Sequence, residues 1–410
     1  PDETVALARS VGRGFDVSRV FADGAGNPLF TLEIARALAR GATPLSDTLA
    51  GLIDDRLERI TGPAAEILPW AAALGRSFDL DLIARASGVA AVTLVGAIAA
   101  LEEHGIVRES IAAHDYDFAH DLLRDRAYRR LSEPRRRLIH RAIAGALGDH
   151  LTDGALAADI AHHAALGGDR ALSARACLSA AEHSHRVFAN DDAARLALRG
   201  VESAAGLPDP DRLELEAALY RVCAMSGRFH GRDADLEARV SRVIAQARAI
   251  GLSSIAARGF GVLSMLQHDR GDYDRAREST LSAAEVGSAA DSVTRARQAV
   301  DTARCLAHLG REMARAEALL VEALALGVDA SLEVAKTESA KGLLACWKGD
   351  AAGGEAALER AFQAACAEKD HWLACDVGLR LAMSALDHGG YERARALSVE
   401  VLGVSERLGG

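Results

Sequence analysis

Apolar residues return at intervals of three and four along most of the chain, the spacing of a helix with one buried face, and near residue 106 the rhythm shortens to two. An amphipathic stretch around Val5, Leu7 and Val11 runs into Phe15, Val17, Val20 and Phe21. A helix follows with Pro28 in its first turn and Gly41 just past its end. Ser46 is placed to cap a helix reaching Ile60, Pro63 to open one that stops at Gly75, and Asp79 to cap one that stops at Gly88. Another covers Ala91 to Glu103. Ile106 to Glu109 then reads as a strand, Ala112 to Asp115 as a turn, and Tyr116 to Phe118 as the returning strand. Helical spacing resumes at Leu122, Leu123, Ala127 and Leu131, so helices followed by a two-stranded wing predict a winged-helix domain over residues 46–150.

From about residue 151 the chain repeats itself. Gly271, Gly310, Gly349 and Gly389 lie 39, 39 and 40 residues apart, each closing one helical stretch and preceding another. Seven residues before them stand Ser264, Ala303, Gly342 and Ala382, and beyond them Ala283, Ala323 and Ala361, all small. Small side chains at fixed register are what closely crossing helix pairs need. Asn190 to Ala194 and Ser226 to Arg228 read as two weaker turns of the same kind, for about six repeats in residues 151–410. The expected fold class is all-α: a winged-helix domain with a small β wing, then an α-solenoid.

Composition agrees with that reading. Half the residues are apolar, only 4% are aromatic and 8 are proline, which favours packed helices over disorder or sheet. A formal charge of −10 argues against direct nucleic-acid binding by this chain. The arginines between Arg124 and Arg141 are accordingly expected to form a solvated face or salt bridges. Six cysteines without CxxC or metal spacing read as buried, reduced thiols, which implies a cytoplasmic location. There is no long apolar run and no signal-peptide pattern, so no membrane is expected. Asp159, His162 and His163 share a helix face but make too small a set for a metal. The chain has no GxxxxGK[ST] loop and no strand ending in paired acids, so it is expected to be no enzyme and to hold no cofactor by itself. Its start at Pro1 and its end on Gly409-Gly410 are expected of a fragment of something longer.

Several short stretches carry family resemblances. Gly271-Asp272-Tyr273-Asp274-Arg275-Ala276 resembles the turn of a tetratricopeptide repeat, echoed at Gly389 to Ala394; the spacing exceeds the usual repeat of about 34 residues, so longer helices are expected. Ala119-His120-Asp121-Leu122-Leu123-Arg124-Asp125 resembles the Met-His-Asp motif that closes the winged helix of STAND signalling ATPases, with alanine in place of the usual methionine. Gly26 to Phe30 resembles the GxP motif of their lid subdomain. The resemblance implies that residues 1–45 are a remnant of the ATPase lid and residues 46–150 its winged helix, with 151–410 a superhelical sensor. It further implies that Pro28 and His120 contact ADP or ATP held by a nucleotide-binding domain outside this chain. On the residues alone, Pro28 is equally an ordinary first-turn proline, and His120 equally a capping or packed histidine. The function implied is the sensor portion of a maltose-activator-like transcriptional regulator that binds a signal molecule or partner protein. The alternatives are the regulatory region of a nucleotide cyclase or kinase fusion, or a plain interaction scaffold.

Register also suggests where a partner would sit. With the repeat glycines at the turn inside each pair, the inner faces of the first helices carry Arg258, Met265 and His268, then Arg297, Arg304 and His308. Lys336, Leu343 and Trp347 follow, then Asp376 and Met383. That strip is expected to be a basic groove with apolar anchors, suited to an acidic peptide or an anionic small molecule.

Overall fold

A computed structural model describes residues 49–110, 115–226, 234–288, 291–326, 334–368 and 370–407, with Ser10, Thr31, Leu32, Ile34 and Ala35. Pro28, the lid segment around it and the Ser46 cap lie outside the described residues. The fold is all-α apart from one small sheet, and it divides into two compact units: residues 1–149 with 162–169, and residues 150–161 with 170–410.

The first unit contains α1 (Leu49–Glu58), α2 (Gly62–Leu74), β1 (Ser77–Phe78), α3 (Leu80–Ser87), α4 (Ala91–Glu103), β2 (Val107–Glu109), β3 (Tyr116–Phe118), α5 (Asp121–Arg129) and α6 (Glu133–Leu147). Pro63 sits in the first turn of α2, and Gly75 and Gly88 close α2 and α3 as the sequence suggests. The strand β1 is an addition. It pairs antiparallel with β3 (Ser77 opposite Asp117, Phe78 opposite Tyr116), while β2 takes the other edge, giving the order β1-β3-β2. Phe78 meets Phe118 edge to face at 5.8 Å, and the two close over a core with Ile83, Leu101, Ile106 and Leu123. Arg56 is buried, and its guanidinium donates to the carbonyls of His104 (2.6 Å) and Gly105 (2.6 Å), satisfying acceptors left open at the end of α4.

Much of the arginine cluster is consumed inside this unit. Arg126 bonds Asp54 (2.8 Å), Arg130 bonds Glu58 (3.2 Å), and Arg124 donates to Ala72 O (3.1 Å), tying α5 to α1 and α2. The helix α7 (Gly154–Gly167) begins in the second unit and ends in the first. Residues 162–169 therefore depart from the sequence-based boundary, because His163 and Gly167 bond to His140 and Arg141 of α6.

The second unit is built of helical pairs: α8 (Arg170–Arg186) with α9 (Asn190–Ala204), α10 (Asp209–Ser226) with α11 (Ala234–Ala249), and α12 (Ser253–Asp269) with α13 (Tyr273–Gly287). Then come α14 (Ser292–Leu309) with α15 (Met313–Ala325), α16 (Val334–Trp347) with α17 (Ala351–Ala367), and α18 (His371–Asp387) with α19 (Tyr391–Arg407). Every small residue marked by register is buried, including Ala303 and Ala361 at 0% exposure. At the α12–α13 crossing Ser264 and Thr280 hydroxyls bond at 2.6 Å, and Thr280 also donates to Ala276 O. At the next-but-one crossing a methyl group on Gly342 would lie 2.6 Å from Leu358 Cγ, so glycine is the residue that lets the backbones approach. Overpacking such positions typically costs about 1–3 kcal/mol. No cysteine is in a disulfide among the described residues. Cys177 and Cys223 are buried as expected, but Cys366 is exposed because it falls off the buried stripe of α17 that runs through Ala357, Ala361 and Ala365. Among the described residues no helix is long and apolar enough to cross a membrane.

Candidate functional site

Successive first helices of the pairs bring their inner faces together around a cavity of about 290 Å³ in the second unit. Arg221 and Met225 of α10, Arg258, Met265 and His268 of α12, Arg304 and His308 of α14, and Lys336 of α16 line it. Six residues singled out by register are thus neighbours on one wall. The helical period makes this possible: residues three, four and seven apart share a face, so each helix offers two or three side chains at one depth.

Each cation on the wall has an acid beside it. Arg304 Nη1 lies 3.4 Å from Asp376 and Lys336 Nζ lies 3.1 Å from Asp301, while Arg258 meets Glu214 (3.3 Å) and Arg221 meets Glu182 (3.1 Å). Burial works against the charge of Arg304, but Cys305, Asp376, Asp301 and Asp370 outweigh it and its pKa is raised, so the guanidinium stays charged. Asp376 stands between Arg304 and Arg380, the latter 4.0 Å away. Arg380 in turn donates from Nη2 to the His308 ring, 2.6 Å from Nδ1. A guanidinium can only donate, so the nitrogen it meets carries a lone pair. Burial first, and then the Arg380 charge, lower the His308 pKa to about 4, and the ring is neutral at pH 7. His268 packs edge to face on it at 4.9 Å. The wall is therefore a set of compensated ion pairs flanked by the thioethers of Met225 and Met265. An entering anion would take the place of Asp376 or Asp301 as a partner for Arg304 or Lys336.

Other register-marked residues lie elsewhere. Arg297 is exposed but two helical turns, about 10.5 Å, before Arg304 on the same face, beyond the cavity wall. Leu343 is 6% exposed and belongs to the core formed with Leu358, Phe362 and Leu381, where an apolar side chain gains most from burial. Trp347 is 58% exposed, but its ring covers Gly310 and its indole N–H donates to Ala307 O at 2.8 Å. Met383 is exposed away from the wall, and Asp376 supports the wall from behind. Arg221, Met225, Asp301 and Arg380 were not marked by the repeat glycines. For Arg380 a signal was present, since it stands one helical turn after Asp376 with opposite charge.

In the first unit His120 occupies the N-cap position of α5 with extended backbone (φ −148°, ψ 143°), directly after β3, and its side chain makes no capping bond to that helix. Asp121 pairs with Arg76 at 3.2 Å. Nearby in sequence is a network that the motif reading did not find. The Tyr128 hydroxyl lies 2.7 Å from His140 Nε2, and His140 Nδ1 lies 2.8 Å from His163 Nδ1. Arg136 stacks over the Tyr128 ring at 4.8 Å.

No protein-family model and no curated protein matches the chain. Among solved structures, aspartyl phosphate phosphatase F from Bacillus subtilis is similar over 97% of this chain and 97% of that one, with 12% identity and a TM-score of 0.52. A Rap protein complexed with competence and sporulation factor is similar over 100% and 99%, with 10% identity and a TM-score of 0.51. A STAND protein with a tetratricopeptide repeat sensor from Pyrococcus horikoshii aligns over 99% of this chain at 13% identity and a TM-score of 0.39; the chain spans 66% of that protein's length. What the first two share with this chain is a fold, the tetratricopeptide-like superhelix of helical pairs.

Proposed function

We propose that the helical pairs form the sensor of a STAND-type regulator, probed by a signal that carries a carboxylate or other anionic group and enters the cavity of α10, α12, α14 and α16. The observation that carries this reading is the convergence of Arg304, Lys336, Arg258 and Met265 on one small cavity, where charge and a polarizable apolar surface meet. A protein of the same superhelical fold has been solved with a factor bound, which supports the class of function without naming the ligand. In this reading the stretch from α2 to β3 of the first unit, with its helix, strand, helix, helix and hairpin order, is a winged helix serving as a docking and lid module. His120, placed at the β3–α5 joint, would by the family resemblance face the phosphates of ADP bound by a separate nucleotide domain. Signal binding then shifts the balance between a resting and an active arrangement by its preference for one of them. The output expected from the sequence resemblance is transcriptional.

The test is calorimetry of the chain against a panel of acidic peptides and small carboxylates, with Arg304→Glu/Lys336→Glu as the control variant. Binding that is lost in the variant, with helical content unchanged, supports the reading. Equal binding by both proteins, or binding confined to uncharged compounds, removes it.

A further inference from the structure

Four side chains tie together two helices whose pairs are not successive. Arg304 and His308 stand one turn apart on α14, and Asp376 and Arg380 one turn apart on α18. Each of the first two meets the residue 72 places further on: Arg304 Nη1 lies 3.4 Å from Asp376, and Arg380 Nη2 lies 2.6 Å from His308 Nδ1. Between them in the stack comes α16, which packs against both α14 and α18, so the two rungs bypass it. The other charged pairs of the wall join successive first helices: Arg221 with Glu182, Arg258 with Glu214, and Lys336 with Asp301. The two rungs are a clasp between α14 and α18.

This clasp is loosely made. An arginine that staples two elements permanently meets its carboxylate through two parallel N–H bonds. Arg304 instead meets Asp376 through one bond at the long end of the range, and Arg380 stands 4.0 Å from the same carboxylate. The Nε–H groups of both arginines are buried and find no acceptor among the described residues. A buried network satisfied only in part costs little to open. Two of its members, Arg304 and His308, also line the cavity, whereas Asp376 and Arg380 do not. A ligand group on Arg304 therefore competes with Asp376 for one guanidinium, and occupancy of the cavity is felt at α18.

We propose that the clasp regulates the cavity: an anion held by Arg304 releases Asp376, and α18 with α19 loosens from α14. The proposal rests on the reading of the cavity as an anion site. Coupling of this kind is reciprocal, so a clasp already open admits the anion more readily. Hydrogen exchange of the whole 410-residue chain tests it, with tri-glutamate as the acidic probe and calorimetry to report its binding. Without the probe, Asp376→Asn should speed exchange in α18 and α19 by more than about threefold. Arg304→Gln/Asp376→Asn should go no further than the single change, because both residues serve one rung. Saturating tri-glutamate should speed exchange in α18 and α19 of the unaltered chain by a similar factor, although binding by itself slows exchange. It should bind Asp376→Asn more tightly and leave exchange there no faster than before. Tri-glutamate that binds the unaltered chain without speeding exchange in these helices overturns the clasp and leaves the cavity reading standing. Exchange in Asp376→Asn equal to that of the unaltered chain overturns it as well. Binding to neither protein overturns the cavity reading and the proposal with it.

Discussion

His140 and His163 face each other through their Nδ1 atoms at 2.8 Å, so one ring must donate and the other must accept. With the Tyr128 hydroxyl on His140 Nε2, a neutral His140 closes the chain of bonds by donating from one ring nitrogen and accepting at the other. Burial, the neighbouring His162 and the Arg124 charge lower the His140 pKa to about 4. Burial and the positive tendency of His140 and His162 lower His163 to about 3. Both folded-state values lie below the ordinary histidine value of 6.5, so the unfolded chain binds more protons in the window between. The stability these rings contribute is complete above that ordinary value and is lost as pH falls toward 4. Melting temperature should therefore drop by about 5 °C or more as pH moves from neutral toward 5. The variant His140→Phe/His163→Leu should show a shallower dependence, with His308 of the other unit supplying what slope is left. An unchanged slope in that variant would show that these rings do not titrate with unfolding.

Arg56 makes a second, simpler prediction. Its guanidinium occupies the carbonyls of His104 and Gly105 at the end of α4. Arg56→Ala leaves buried acceptors without donors and should cost about 2–3 kcal/mol in urea unfolding. Arg56→Lys should recover less than half of that, because a single ammonium cannot serve both carbonyls with the same fork.

Much of the fold was legible because its signals are local. Gly75, Gly88, Gly271, Gly310, Gly349 and Gly389 stop helices through their own backbone freedom, and the small residues at crossings follow from the period alone. The strand β1 was not, since the two residues Ser77 and Phe78 have no rhythm and become a strand only by meeting the free edge of β3. The cavity wall was readable as far as the helical period reaches, which brought Arg258, Met265, His268, Arg304, His308 and Lys336 together. It failed for Leu343 and Trp347, where packing by neighbouring helices decides what a position faces. Partners distant in sequence were invisible for the same reason: Asp376 reaches Arg304 across 72 residues, and His163 reaches His140 across 23.

Trp347 and Gly310 supply the third prediction. Gly310 has φ 65° and ends α14, and a methyl group there would sit 2.7 Å from Trp347 Cζ2. Gly310→Ala meets both the left-handed backbone cost and the ring, and should lose about 2 kcal/mol. Trp347→Phe keeps an aromatic cover but frees Ala307 O, so a loss of about 1 kcal/mol is expected. If Trp347 were instead an anchor for a bound partner, Trp347→Phe would leave stability alone and weaken binding. Thermal unfolding measured beside ligand titration separates these outcomes.

The last prediction concerns Asp376, which holds the cavity wall together from behind. It is the carboxylate nearest to Arg304 on α18 and it also faces Arg380, so Asp376→Ala leaves two guanidiniums close to each other and to His308. A loss of about 2 kcal/mol is expected, between the values for exposed and fully buried pairs. Asp376 is the principal group holding the His308 pKa up against burial and Arg380, so its removal should push that pKa further below about 4, readable from the ring-proton shift in an NMR titration. The vacated place is the one an anionic ligand would take. Sulfate or acetate should accordingly raise the melting temperature of Asp376→Ala in proportion to the logarithm of its concentration, while leaving the unaltered chain nearly unmoved. A variant that loses stability but gains nothing from added anion would mean that Arg304 can bond Asp376 and still cannot receive a ligand, and the anionic signal would have to bind elsewhere.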